Sequence, residues 1–286
     1  MAPIDLEDNA CDIVGKACRG LGWNAADLAT AAGLPQAVAE QALAGDAPRR
    51  VDDAAWAALA AALGLDGPAL VGIVQGRHQP RVALPPGVVR IPTAYGGTLE
   101  VNAWLLGPYG PGAALVVDTG TDARAVAAAL AARGWSPAAL LLTHDHADHV
   151  AALPDLRRRF PDCAVFSSAA DPVAGATLFR APCRLEIAGW RIDCLPTPGH
   201  TDGSTSFLVA PPAGPVCFTG DAVFAGSIGG PRYSLAAARQ ALAEHIVGLP
   251  AGTLLLPGHG PATSIALEIR HNPFLVPLAA TCRPPP

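Results

Sequence analysis

The sequence predicts an α/β sandwich preceded by a small all-α unit, and three observations carry that expectation. Residues 1–76 read as helix after helix, with caps at plausible spacings. From about residue 90 the texture changes to short apolar, β-type runs separated by turns and interleaved with helical stretches. Four of those runs end at once in a polar cluster, the arrangement of α/β folds whose strand ends carry a site.

Composition bounds the alternatives. In 286 residues, 51% are hydrophobic and 15% charged, enough for a sizeable core and too apolar for global disorder. A net charge of −5 argues against a general nucleic-acid surface. The start, MAPIDLEDNACDIV, lacks a basic segment followed by an apolar one, so no secretory signal is read and a cytoplasmic protein is expected. The longest apolar stretch, AAWAALAAALGL at 54–65, is too short to span a bilayer and reads as a buried helix. Seven cysteines without a C-x-x-C pair point to reduced thiols, with Cys11 and Cys18 as core residues on one helix face. Lys16 is the only lysine, which argues against Schiff-base chemistry.

The elements follow in order. Asn24 is expected to cap a helix that Gly33 ends, Pro35 to open the next at its first position, and Gly45 to stop it. The division expected is a helical domain over 1–76, a linker over 77–89 and a catalytic domain over 90–286. Strands are predicted at 101–107, 113–118, 138–143, 163–168, 190–195, 204–209, 215–220 and 253–257, and helices at 122–134, 155–160 and 234–248. Asn272-Pro273 should stop a last helix and pin the C-terminus.

The polar clusters are THDHADH (143–149), TPGHT (197–201), TGDA (219–222) and PGHGP (257–261). Imidazole and carboxylate groups this crowded repel or compete for water unless a cation binds them. Counting candidate ligands gives His144, His146 and His200 as one triad and Asp148, His149 and His259 as another, with Asp221 left to bridge. Neutral imidazole suits zinc, iron or manganese, and a carboxylate can span two ions. Two divalent ions, zinc first and iron or manganese as alternatives, would hold a hydroxide near neutral pH and polarise a carbonyl. Asp148 and Asp221 are then the candidate catalytic carboxylates, keeping that hydroxide ionised and oriented. Single histidines in turns are usually surface or core residues, and His78, His245 and His271 are read that way.

T-H-x-H-x-D-H, P-G-H-T, G-D-A and P-G-H-G in this order resemble the metallo-β-lactamase superfamily over roughly residues 82–286. The resemblance implies an αββα sandwich with a dinuclear site on the ligands just named. Asn102-Ala103-Trp104 matches an N-x-aromatic feature near the start of such domains. DAVFAGSIGG (221–230) and EIRHNPFL (268–275) resemble the glyoxalase II-like branch, which implies hydrolysis of a thioester of the hydroxyacylglutathione type or a related ester. That branch binds glutathione through a lysine and a tyrosine after the glycine-containing loop, and only Arg232 and Tyr233 stand there as substrate-binding candidates. Quorum-signal lactonases carry a tyrosine where this chain has Phe224. A second reading, a persulfide dioxygenase with one iron on His144, His200 and Asp221, departs at Gly230, where those enzymes carry arginine.

The head, over about residues 6–74, is similar to the five-helix Cro/repressor type of helix-turn-helix domain, which would imply a metabolite-sensing DNA-binding regulator. Charge opposes it: residues 1–76 hold four basic and ten acidic side chains, so phosphate neutralisation is scarcely available. A cap over the site or a homodimerisation module is the preferred expectation, and the partner expected is a small-molecule thioester or ester, with no nucleic acid and no membrane.

Overall fold

The computed structural model describes residues 4–45, 50–97, 99–108, 110 and 112–281; Pro48, Cys282 and the closing run at 283–286 lie outside them. Five helices come first: α1 (Ala10–Leu21), α2 (Ala25–Ala32), α3 (Gln36–Leu43), α4 (Asp53–Ala62) and α5 (Gly67–Val74). Asn9 and Asn24 cap α1 and α2 in reciprocal capping boxes with Asp12 and Asp27, and Gly22 and Gly33 close both helices in the left-handed region. Pro35 sits one position earlier than expected, as the N-cap of α3, with its ψ of 141° outside the helical range.

Two six-stranded sheets follow. The first joins β1 (Val88–Tyr95), β2 (Leu99–Leu106), β3 (Gly112–Val117), β4 (Trp135–Leu141), β5 (Ala164–Ser168) and β6 (Thr177–Phe179) in that order. The second runs β12 (Thr263–Ser264), β11 (Leu254–Pro257), β10 (Val216–Gly220), β9 (Thr205–Val209), β8 (Trp190–Pro196) and β7 (Cys183–Ile187). Helices α6 (Ala123–Ala131), α7 (Ala147–Val150) and α8 (Leu153–Arg159) belong to the first half, and α9 (Leu235–His245), α10 (Ile265–His271) and α11 (Leu275–Thr281) to the second. The expected α/β sandwich is the fold observed, with all eight predicted strands present within a few residues. Strand β1 was not foreseen, and it begins at Val88, inside the stretch read as linker. It holds Pro92, which a sheet tolerates on an edge strand such as this one.

Three cores hold the layers. Trp104, Leu115, Val117 and Leu141 of the first sheet meet Phe207, Val209, Phe218 and Leu256 of the second. On the outer face of the first sheet, Leu105, Val116 and Leu140 cluster with Val126 and Leu130 of α6 and Leu156 of α8. The third core is continuous from Cys217 and Leu255 through Leu235 and Leu242 of α9 and Leu275 of α11 into Ile13, Trp56, Leu59 and Leu70 of the first five helices. The head therefore buries its apolar faces against the second half of the sandwich. Cys11 and Cys18 are core residues there, as expected. Polar ties reinforce the seam: Asp66 N donates to Pro273 O at 2.9 Å, Arg239 Nη2 to Leu63 O at 2.6 Å, and the buried His78 ring lies 3.1 Å from buried Glu268. Among the described residues no helix is long and apolar enough to cross a membrane.

The N-x-aromatic feature staples the two sheets. Asn102 Nδ2 donates to Pro257 O (2.9 Å) and Gly260 O (3.0 Å), and Trp104 Nε1 donates to Pro257 O at 2.9 Å. A fully buried amide and indole are thereby satisfied, and the loop carrying His259 is fixed to β2.

Gly20 marks how tightly α1 is seated. A Cβ there would lie 2.7 Å from Leu235 Cβ and 2.9 Å from Pro231 Cγ. Alanine in a helix normally gains up to about 1 kcal/mol over glycine, whereas overpacking costs about 1–3 kcal/mol. Gly20→Ala is therefore expected to lower stability by roughly 1 kcal/mol in denaturant unfolding; a stabilised variant would mean that α1 does not rest on this loop.

Candidate metal centre

Every predicted ligand projects from the C-terminal end of a strand, and the strand ends converge at one edge of the sandwich. His144, His146, Asp148 and His149 follow β4, the last two within the single turn of α7. His200 follows β8, Asp221 follows β10, and His259 follows β11. The ligand atoms fall into three overlapping groups, each within 4.8 Å: His144, His146 and His200; His144, His149 and Asp221; and Asp148, His149 and His259. Asp221 lies between, its Oδ2 3.3 Å from His200 Nε2 and 3.7 Å from His259 Nε2. All seven predicted metal-binding side chains are thus brought together.

Three of the five rings are aimed by a bond on the far side. His149 Nδ1 lies 2.7 Å from Asp118 Oδ2, His200 Nδ1 donates to Gly230 O at 2.7 Å, and His259 Nδ1 donates to Glu100 O at 2.7 Å. In each ring this leaves Nε2 for the centre, the usual way a protein fixes the tautomer of a metal-binding histidine. Asp118 was missed in the sequence, although VVDTG, a strand ending in an acid, carries the same signal as the other clusters. It is buried, sits at φ 54°, and also accepts from Thr143 N and Thr143 Oγ1, both at 2.8 Å.

The buried atoms test whether a cation fits. His144 Nε2, His149 Nε2 and Asp221 Oδ1 are all buried and make no hydrogen bond, His149 Nε2 standing 3.3 Å from Asp221 Oδ1, and all three belong to one of the ligand groups. Leaving such groups unsatisfied costs about 1–3 kcal/mol each, more when charged, so their convergence suits a positive ion that would offset it. The donor set of imidazoles and carboxylates suits zinc, iron or manganese equally. Burial, and then the neighbouring His149 charge, push His144 well below the ordinary histidine range, and burial lowers His200 as well, which favours neutral ligands. Burial works against ionisation of Asp221, but the charges of His149 and His259 outweigh it and hold the carboxyl well below its usual range. Gly258 gives the room: a Cβ there would stand 2.4 Å from Asp221 Oδ1 and 2.5 Å from His149 Cε1.

The centre opens into a cavity of about 880 Å³ lined by His146, Asp148, His200, Asp221, His259 and Arg232. Glu7, Asp8, Lys16 and Arg19 of the head line it too, a contribution that no sequence spacing announces. Tyr233 is elsewhere: it is 56% exposed, its hydroxyl pairs with Asp202, and it does not line the cavity. His78 and His271 lie at the seam with α10 and His245 at the end of α9, away from the ligand groups.

Sandwich, strand-end ligands and cavity define a metal-dependent member of one fold family. The metallo-beta-lactamase superfamily matches residues 96–177 and 191–259, and the chain belongs to it. A probable metallo-hydrolase of Bacillus subtilis (strain 168), YqgX, is 29% identical over 205 residues, 63% of this chain and 94% of that one. A hydroxyacylglutathione hydrolase of Hamiltonella defensa is 34% identical over 146 residues, so that the match spans 51% of this chain and 57% of that enzyme. Among solved structures, TTHA1623 in a di-iron-bound form superposes with a TM-score of 0.54 at 31% identity, covering 65% of this chain and all of that one. Helices α1 to α5 all precede the matched residues.

Asp118→Asn keeps the shape but weakens the acceptor that orients His149. Metal affinity should fall by about 10–100-fold in competition with a chelator. Unchanged affinity would show that Asp118 does not aim this ligand.

Proposed function

We propose that the chain is a dinuclear metal-dependent hydrolase of thioesters, of the hydroxyacylglutathione type or a related ester. The observation that carries this reading is the pair of ligand groups joined through Asp221 and opening into one cavity. Both groups are complete, His144, His146 and His200 on one side and Asp148, His149 and His259 on the other, which favours two ions over the single iron of a dioxygenase. Ions held there would supply a water ionised near neutral pH and a Lewis acid for a carbonyl oxygen.

The protein's own groups do the rest. Asp221, buried with its Oδ2 3.3 Å from His200 Nε2 and 3.7 Å from His259 Nε2, stands between the two groups and is placed to bridge them. Asp148 is the more open carboxylate, its side chain 16% exposed and its Oδ2 3.2 Å from His259 Nε2, so it can accept a hydrogen bond from the attacking water and keep that water aimed. A thiolate leaves without a strong general acid, and the cavity accordingly needs none beside the scissile bond. Likeness to the Hamiltonella defensa enzyme supports the thioester class. Thiols at Cys18, Cys163, Cys183, Cys194 and Cys217 that form no disulfide among the described residues are in keeping with a reducing, cytoplasmic setting.

Protein purified without chelator should carry about two metal ions per chain and hydrolyse S-D-lactoylglutathione or a similar thioester. His146→Ala and Asp221→Ala should each lose metal by elemental analysis and abolish that turnover. One iron per chain with oxygen uptake on glutathione persulfide, or full turnover in either variant, would refute the proposal.

A further inference from the structure

Helix α1 precedes the family-matched residues, yet one of its side chains reaches toward the metal centre. Lys16 is the only lysine of the chain, and it is buried in the cavity wall. Taking an ammonium group out of water is costly unless its donors are met. Here its Nζ pairs with Asp8, donates to Ile228 O at 2.8 Å, and stands 4.7 Å from the centre of the Phe224 ring. A carboxylate, a carbonyl and a ring face thus engage its three N–H groups.

The carbonyl it holds begins a short run, 228–230, in which each residue has a separate tie. Ile228 O is taken by Lys16, and the Ile228 side chain is buried in the core shared with the head. Gly229 N donates to Asp221 O at 3.0 Å, and a Cβ on Gly229 would lie 2.1 Å from that oxygen, an approach that only glycine allows. Gly230 O accepts from His200 Nδ1 at 2.7 Å. Just before the run, Asn272 Nδ2 donates to Ser227 O at 2.8 Å. Asn272 and Lys16 therefore pin the chain at 227 and 228, and the next two residues set Asp221 and His200. Peptide planes are rigid, and neither glycine has a side chain to anchor the run by packing, so a shift of Ile228 passes directly to both. The same lysine also backs the Phe224 ring, whose centre is 5.6 Å from that of His259.

We infer that Lys16 is a positioning residue for the metal centre, holding the His200 ring and the Asp221 carboxylate in register through Ile228, Gly229 and Gly230. It touches no metal itself and acts through the loop. The family-matched sandwich lacks this anchor by itself, so tight metal binding depends on the head. The inference rests on the centre taking metal and is independent of which ester is cleaved.

Zinc alone is the probe. Metal-stripped full-length protein is titrated with zinc against a chromophoric chelator, and denaturant unfolding of the same samples follows stability. Lys16→Met by itself would leave the Asp8 carboxylate buried without its partner, so it is combined with Asp8→Asn. This double variant should bind zinc about tenfold more weakly than the wild type, the lower end of what losing an outer partner of a metal ligand costs. Cobalt(II) in place of zinc should show a changed visible spectrum, which follows ligand geometry. Lys16→Gln leaves Asp8 a donor but is uncharged and one bond shorter. It should weaken zinc in the same direction, which keeps the test open should the double variant not fold. Leu28→Ala, a core change in α2, loosens the head while leaving Lys16 and residues 228–230 as they are, and its zinc affinity should match the wild type. Wild-type affinity in both Lys16 variants would overturn the assignment. So would a loss in Leu28→Ala as large as theirs, because loosening the head would then suffice. A wild type that binds neither zinc nor cobalt would sink the metal centre and this inference together. The expected zinc losses in a protein that cleaves no thioester would overturn the hydrolase reading alone.

Discussion

The structure turns on the Asp118 carboxylate. It accepts from the backbone and hydroxyl of Thr143 and from His149, so one buried side chain at the end of β3 joins the end of β4 to the first turn of α7. With φ at 54°, Asp118 occupies a conformation that non-glycine residues seldom adopt, and the three bonds are what hold it there. Without that anchor, the crowded run from His144 to His149 would have no fixed direction.

The remaining ligands depend on the same logic of far-side restraint. His200 is aimed by Gly230 O and His259 by Glu100 O, backbone groups on different segments of the chain. The Asn102 and Trp104 bonds to Pro257 O then fix the segment that carries His259 against the opposite sheet. Position at the centre is therefore a property of both sheets together. The two halves of the sandwich meet through the core of Trp104, Phe207 and Phe218, and loosening that core would move ligands from both sides at once.

The sandwich and the ligands were readable because their signals are local. Each ligand sits just past an apolar β run, and a strand followed at once by an acid or imidazole shows itself in a handful of residues. Strand β1 escaped because Arg90 and Pro92 interrupt its apolar character, and its place at a sheet edge, which permits both, is a tertiary fact. Asp118 carries a legible pattern in VVDTG, but its role depends on a partner 31 positions away. The contribution of Lys16 and Arg19 to the cavity is of the same kind. Lys16 meets Ile228 across 212 positions, and no periodicity within α1 announces that contact. Tyr233, by contrast, sits beside Arg232 in sequence but turns to Asp202 in space.

Because the head shares its core with α9 and α11, part of the cavity wall comes from a stretch of sequence well apart from the groups suited to hold metal. The groups suited to hold metal lie between positions 144 and 259, whereas Glu7, Asp8, Lys16 and Arg19 fall within the first nineteen residues. Substitutions in the short early stretch can reshape what enters without touching a ligand.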